Sequence, residues 1–338
     1  MNVLSLFDGM SCGQQALNRL GIKYDNYYAS ELDKYAIQIT QKNFPDTIQL
    51  GDVCGVVAKD LPKDIDLLLA GSPCQGFSFA GKQLAFDDPR SALFFEFIRL
   101  LRELKPKYFL LENVRMKKEY LDVITEQVSS CYPEYKGGDD LFGGRIEPIL
   151  INSALLSAQN RQRYYWTNIP GVTQPEDKGL VLSDVLEDGY VSERDKSYCL
   201  DANYFKGTNL KGYLTKKRRQ LVVKSMTEVR TPEANKIRRE HIKKTGKDWS
   251  PRHMRHLVER DDEKSNTITA SMSKQHIIQV TRDTDQDVHW RKLTPLECER
   301  LQTVDDNYTE GVSNTQRYKM LGNGWTIDVI SHILNHIK

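Results

Sequence analysis

Cys74 stands in the run GSPCQGFSFAG, behind a proline that stiffens the entry and among Gly71, Gly76 and Gly81. An isolated cysteine is most often a small buried residue. One exposed on a Gly-rich loop just past a strand is instead a candidate nucleophile, because the thiolate is the reactive form and must reach its target. Glu112, in LLENV, is the second such residue. If its strand neighbours the one before Cys74, a carboxyl group able to move a proton shares a cleft with the thiol. In QNRQRYYW, Gln159, Arg161 and Arg163 alternate, so on an extended strand all three side chains face one way. Two arginines and an amide turned inward are costly unless they bind carboxylates or a polar ligand.

Placing these groups together requires strands with loops at their carboxyl ends, and the first 115 residues have that rhythm. Asn2 to Phe7 is an apolar run ending in Asp8-Gly9, with Ser11 as the expected N-cap of a helix through Leu20. Tyr27 to Leu32 predicts a second strand carrying Glu31 at its end, followed by a helix from Asp33 to Asn43, and a short third strand closes at Gly51-Asp52. Ile65 to Ala70 breaks at Gly71-Ser72-Pro73, Ser91 to Leu104 is amphipathic, and Tyr108 to Leu111 ends at Glu112-Asn113. Strands alternating with helices imply an α/β fold with a doubly wound, mostly parallel sheet. Its ligands bind beyond the carboxyl ends of the strands, where Asp8, Glu31, Asp52, Cys74 and Glu112 all fall. Two further strands are expected at Ile146 to Ile151 and Arg163 to Thr167, and helices at Thr294 to Gln302 and Thr326 to Ile337.

The loop DGMSCG lacks the GxGxxG spacing of a dinucleotide site, and Asp8 would repel a pyrophosphate. Glu31, 18 residues beyond Gly13, is placed to accept from ribose hydroxyls, and Asp52 from an adenine amine. Each acid alone is more often a turn residue at the surface. Their register at successive strand ends favours a nucleoside ligand without phosphate.

The 338 residues, 39% hydrophobic and 28% charged, suffice for one large domain or two and exclude disordered, collagen-like and disulfide-scaffold classes. No basic leader opens the chain and no apolar run reaches membrane-span length, so neither secretion nor membrane insertion is expected. The six cysteines lie without CxxC or CxxH spacing, which points to a reducing cytoplasm and to no metal. Charge is uneven: Phe205 to Arg260 holds 17 Lys and Arg against 5 Asp and Glu, a net +12 in a chain of net +2. Such an island is often only a solvated face, but Tyr204, Phe205, Tyr213 and Trp249 beside it favour a polyanion partner. Three regions are expected: 1–170 for catalysis and cofactor, 171–288 as a smaller domain, and 289–338 returning to the first.

Read in order, FDGMSCG, SELD, GDV, GSPCQGFS, LLENV, QNRQRYYW, LTPLECERLQ and MLGNGW resemble the blocks of the DNA (cytosine-5)-methyltransferases, and they cover nearly all of the chain outside 171–288. LFFEFIRLL, Asp8-Gly9 and GNGW are most similar to the mammalian de novo enzymes, while the compact form resembles bacterial or phage members. The resemblance implies a Rossmann-like methyltransferase that uses S-adenosylmethionine, releases S-adenosylhomocysteine, needs no metal, and acts as a monomer on duplex DNA in restriction-modification or restriction evasion. A cognate restriction endonuclease would then be its functional partner.

It further implies that Cys74 attacks carbon 6 of a flipped cytosine, that Glu112 binds the ring nitrogen and exocyclic amine, and that Arg161 and Arg163 steady the base. Phe7, Asp8, Gly9, Met10, Ser11, Cys12, Gly13, Glu31, Leu32, Asp52, Val53, Pro73, Asn323, Gly324 and Trp325 would form the cofactor site. Gln75, Gln159 and the basic quartet Lys216, Lys217, Arg218 and Arg219 would meet DNA. Two departures stand out: Asp8 and Ser11-Cys12 replace a Gly-rich opening block, and Leu32 replaces an aromatic. A tRNA methyltransferase of the same fold and a non-catalytic DNA-binding accessory protein are the alternatives.

Overall fold

Five apolar runs become the parallel strands of one sheet: β1 (Asn2–Leu6), β2 (Asn26–Ser30), β3 (Ile48–Gln49), β4 (Ile65–Ala70) and β5 (Tyr108–Val114). The computed structural model describes residues 1–72, 92–135, 144–187, 190–192, 194–224, 226–259 and 290–337. Two more strands, β6 (Ile149–Asn152) and β7 (Gln162–Thr167), complete a seven-stranded sheet of order β3-β2-β1-β4-β5-β7-β6. β7 runs antiparallel to both of its neighbours. The strand order reverses between β1 and β4, which opens a crevice at their carboxyl ends.

β1 is buried along its whole length, as a central parallel strand covered on both faces must be. α1 (Cys12–Arg19) and α2 (Lys34–Asn43) follow β1 and β2, α3 (Ala92–Leu104) precedes β5, and α4 (Lys118–Ser130) follows it. α3 turns Phe94, Phe97, Ile98, Leu100 and Leu101 inward at helical spacing, against a core that includes Leu68, Phe109 and Trp166.

The chain divides into two compact units, residues 1–185, 196–207 and 294–338 against 186–195 and 208–293. The expected boundaries at 171 and 288 therefore shift: 171–185 and 196–207 belong to the first unit. The reason is packing that sequence periodicity cannot reveal. Tyr204 stacks edge-on against Tyr318, and the carbonyl of Leu200 accepts from Arg161.

In the second unit, α5 (Leu210–Lys216) and α6 (Pro232–Thr245) accompany two small antiparallel sheets. One is β12 (Trp290–Lys292), β9 (Leu221–Lys224) and β8 (Tyr190–Val191), and the other is β10 (Met226–Arg230) with β11 (Arg255–Glu259). The first unit is completed by α7 (Pro295–Leu301), α8 (Asn314–Asn323) and α9 (Ile327–Leu334). α7 opens on a capping box in which Thr294 and Glu297 satisfy each other's backbone N–H groups. Among the described residues no helix is long and apolar enough to cross a membrane.

Candidate active site

A cavity of about 400 Å³ lies at the carboxyl edge of the first unit's sheet. Its walls carry Asp8 after β1, Glu31 after β2, Asp52 after β3 and Glu112 from β5, so the acids read from the sequence do converge. Phe7, Gly9, Cys12, Leu32, Val53, Asn323, Gly324 and Trp325 line it as well. Cys74, Pro73 and Gln75 lie outside the described residues.

The loop after β1 turns sharply, with Phe7 and Ser11 in left-handed backbone conformation at φ 57° and 61°. Non-glycine residues hold such angles at a cost of about 1–3 kcal/mol each, which recurs at functional sites. Ser11 is thus no side-chain cap for α1; its hydroxyl donates to Gln14. Met10, Ser11 and Gly13 correct the expectation for the cofactor site. Met10 and Ser11 are buried within the loop, Gly13 faces Leu69 and Tyr27, and none of the three lines the cavity.

Glu31 fastens the loop: Gly9 N–H donates to Oε2, and the N–H groups of Leu32 and Asp33 donate to Oε1, all at 2.8 Å. A carboxylate has about four acceptor sites, so this pre-set group retains capacity for a hydroxyl. Asp52 caps the turn that follows it by accepting from Cys54 N–H. Asp8 accepts from the Tyr27 hydroxyl through Oδ1, while its buried Oδ2 has no hydrogen-bond partner. Burial pushes the Asp8 carboxyl up to about 6, against the nearby hydroxyl groups of Ser5, Tyr27 and Ser11, which pull it down. Burial likewise pushes the Cys12 thiol up to about 12 and leaves it inert at neutral pH.

Glu112 lies within β5, not past its end, because the strand continues to Val114. It stands opposite Tyr165 of β7 and Val114 opposite Arg163, so Glu112 and Arg163 are diagonal neighbours on one face. Arg163 Nε forms an ion pair with Glu112 Oε1 at 2.8 Å. Trp325 Nε1 donates to the other oxygen, Oε2, at 3.2 Å.

Gln159 and Arg161 depart from the expectation, since β7 begins only at Gln162 and the alternation does not extend back to them. Arg161 is buried and gives its guanidinium to the carbonyls of Leu200, Gly322 and Gly324. It lines the cavity and shapes the loop bearing Trp325, with most of its hydrogen bonds made to backbone carbonyls and one to Cys199 Sγ. Gln159 is fully buried; it donates to Leu301 O and Gln302 and accepts from Leu200 N–H, so it cannot touch DNA. Gln302 passes the support on by donating to Leu321 O and Gly324 O.

Sequence reasoning missed several residues of the cavity wall, among them Asp33, Ser72, Asn113 and Lys319. Ser72 accepts from Asn113 across β4 and β5, and Lys319 pairs with Asp33 at 2.6 Å at the cavity. Asn113 directly follows Glu112, Asp33 ends the SELD block, Ser72 sits inside GSPCQGFS and Lys319 immediately precedes MLGNGW, which is the signal that could have found them. Lys216, which ends α5, and Lys217 and Arg218 after it are exposed in the second unit, and Arg219 is half-buried.

The doubly wound sheet with this cavity at its switch point defines the class of α/β proteins that bind a nucleoside or nucleotide ligand beyond the strand ends. More narrowly, the chain belongs to the C-5 cytosine-specific DNA methylase family, whose model matches residues 1–338. Orphan methyltransferase M.SPRI of Bacillus phage SPR is 26% identical over 442 residues, spanning 100% of this chain and 97% of that protein. Type II methyltransferase M.HhaI of Haemophilus parahaemolyticus is 28% identical over 344 residues, spanning 100% and 94%. The solved structure of Entamoeba histolytica methyltransferase EhMeth is similar in fold, with a TM-score of 0.63 at 16% identity, covering 100% of this chain and 99% of that one.

The residues present fit S-adenosylmethionine. The orphaned Asp8 oxygen suits its cationic methionine end, Glu31 suits the ribose, and Val53 and Leu32 offer apolar contact to a base.

Proposed function

We propose that the chain methylates carbon 5 of a flipped-out cytosine within a specific duplex DNA sequence, through a covalent bond from Cys74 to carbon 6. One observation carries the reading. Glu112, with a donor or cation on each oxygen, faces the same cavity as Glu31 and Asp52, so a proton-handling group adjoins a nucleoside site.

Carbon 5 of cytosine is a weak nucleophile and the base is hidden in the stack, so the base must first be extruded. The Cys74 thiolate then forms a bond to carbon 6, and electron density moves into the ring. Glu112 meets the change at ring nitrogen 3 and the exocyclic amine, where charge appears only as the reaction proceeds. Arg163 holds Glu112 in place, and Arg161 acts one step back through the loop carrying Trp325. S-adenosylmethionine, when bound, supplies the methyl group to carbon 5. Loss of the carbon 5 proton to solvent or a nearby base returns the bonding pair to the ring and expels Cys74 as thiolate. The step calls for no metal.

The cofactor would be held by Phe7, Asp8, Gly9 and Glu31 at its ribose and methionine end, by Leu32, Asp52 and Val53 around the adenine, and by Pro73 and Asn323 to Trp325 near the reacting centre. The second unit would be the target-recognition domain. The enzyme would act as a monomer in the cytoplasm of a bacterial or phage-infected cell, paired with a restriction endonuclease or protecting phage DNA from one. Incubation with methyl-labelled S-adenosylmethionine and duplex DNA, duplex RNA or transcript tRNA tests the reading. Label should enter DNA as 5-methylcytosine in one sequence context; label in tRNA, or in none of the three, contradicts it.

Lys216, Lys217, Arg218 and Arg219 are proposed as phosphate contacts of the recognition domain, following a helix C-terminus that itself favours cations. If about five to eight charges of the basic island meet phosphates, log affinity should fall with log salt at a slope of about −5 to −7. The fourfold Ala variant should bind all duplexes more weakly and flatten that slope while keeping its site preference. An unchanged slope removes the quartet from the interface.

A further inference from the structure

Glu112 has two oxygens, and the reaction as proposed accounts for what holds only one of them, the Arg163 side. The other is met by Trp325, a residue read from the sequence purely as cofactor lining. We propose that Trp325 is a positioning residue for Glu112, so that the loop closing the cofactor cavity also aims the carboxylate that handles the base. The inference rests on the role given to Glu112 above.

Several independent features build this contact. The Trp325 ring is 8% exposed and its Nε1 donates to Glu112 Oε2 at 3.2 Å. Gly71, at the end of β4, lies directly against the indole: a Cβ there would stand 2.9 Å from Nε1, 3.2 Å from Cζ2 and 3.3 Å from Cε2. A side chain at 71 would therefore displace the ring. The backbone before the indole is pinned from the other side, since Gly324 O accepts from Arg161 Nη2 at 2.9 Å and from Gln302 Nε2 at 3.1 Å. Gly322, two residues earlier, lies so close to Asp201 that a Cβ would come within 2.3 Å of its carbonyl carbon and oxygen. A loop packed this tightly does not place its tryptophan by accident of a mobile turn.

The chemistry of the donor makes the contact directional. Indole N–H donates and cannot accept, so it favours a Glu112 oxygen that presents a lone pair. Arg163 alone would leave the carboxylate free to rotate about its last side-chain bond, whereas partners on separate oxygens fix its plane. A carboxylate that must meet two ring positions of the base gains from that fixed plane, because misplacement of a reacting group is costly in rate. Burial adds to this: Glu112 is 8% exposed, so an oxygen stripped of the indole N–H has little water to replace it.

The test uses the full-length enzyme, duplex DNA and saturating S-adenosylmethionine. Trp325→Phe keeps an aromatic ring and deletes the N–H. It should lower kcat by roughly ten-fold, with the dissociation constant for S-adenosylhomocysteine, measured calorimetrically, within about three-fold of the parent. A purely structural or cofactor-lining role is separated by a double-mutant cycle under single-turnover conditions. In a Glu112→Ala background the added Trp325→Phe change should alter the rate by less than about two-fold, because its target is gone. Gly71→Ala, which leaves Trp325 itself intact, should reproduce the kcat loss. Equal losses from Trp325→Phe with and without Glu112, a loss confined to cofactor affinity, or a parental kcat would each overturn the inference. Glu112→Ala decides the underlying reading separately: a parental rate in that variant removes both.

Discussion

Glu112→Gln should turn over about 100-fold or more slowly than the parent while binding S-adenosylhomocysteine with unchanged affinity. The substitution keeps the shape of the side chain and its acceptor oxygen toward Trp325 Nε1 or Arg163 Nε, but it removes the acid. The ground-state complex is therefore preserved. What is lost is a group matched to charge that develops at ring nitrogen 3 during attack, and an interaction made only in the transition state appears in kcat. Among the described residues the cavity wall offers no ready substitute. Asp8, the next buried acid on the cavity wall, has Oδ1 bonded to Tyr27 on the far side of the sheet's switch point, after β1. Steady-state kinetics on a duplex containing the target, beside calorimetry with S-adenosylhomocysteine, checks the split. A variant within a few-fold of the parent assigns the ring nitrogen to another group.

Cys74→Ala should cost still more, roughly a thousand-fold or greater, because it removes the route itself and not only a stabilising contact. Without a bond at carbon 6 the ring has no means of placing electron density on carbon 5. Rescue by the thiol that lines the cavity is not expected. Cys12 is buried and its thiol is held protonated near neutral pH, so it supplies no thiolate. Cofactor affinity should again be little changed, which single-turnover assays with labelled methyl donor and parallel calorimetry will show. Turnover within ten-fold of the parent would mean that no covalent step at this residue is needed.

Much of this site is visible in the sequence because an α/β sheet converts order along the chain into position along one edge. Asp8, Glu31 and Asp52 each follow a short apolar run, and the register of β1, β2 and β3 brings them to one cavity. Glu112 was legible for the same reason, although its strand runs two residues further. Gln159 and Arg161 were not. Their even spacing looks like one face of a strand, but the strand starts after them, and most of their partners are backbone carbonyls 39 to 163 residues away. Backbone acceptors carry no residue signature, so no spacing rule can point to them. The same holds for Trp325 and Glu112, 213 residues apart. The division into units was blurred for a related reason. Residues 196–207 sit between segments of the second unit along the chain, yet Ser197 bonds Ala158 and Asn160 and the Leu200 carbonyl caps Arg161.

The covalent step is tested most directly by trapping. A duplex whose target cytosine is replaced by 5-fluorocytosine carries no proton that can be lost at carbon 5, so the bond to the enzyme cannot be released once methyl transfer has occurred. With S-adenosylmethionine present, the parent should accumulate a denaturant-resistant protein–DNA adduct, and peptide mass mapping should place the base on Cys74. Cys74→Ala should give none. An equal adduct from that variant, or an adduct mapped to another cysteine, would contradict the account.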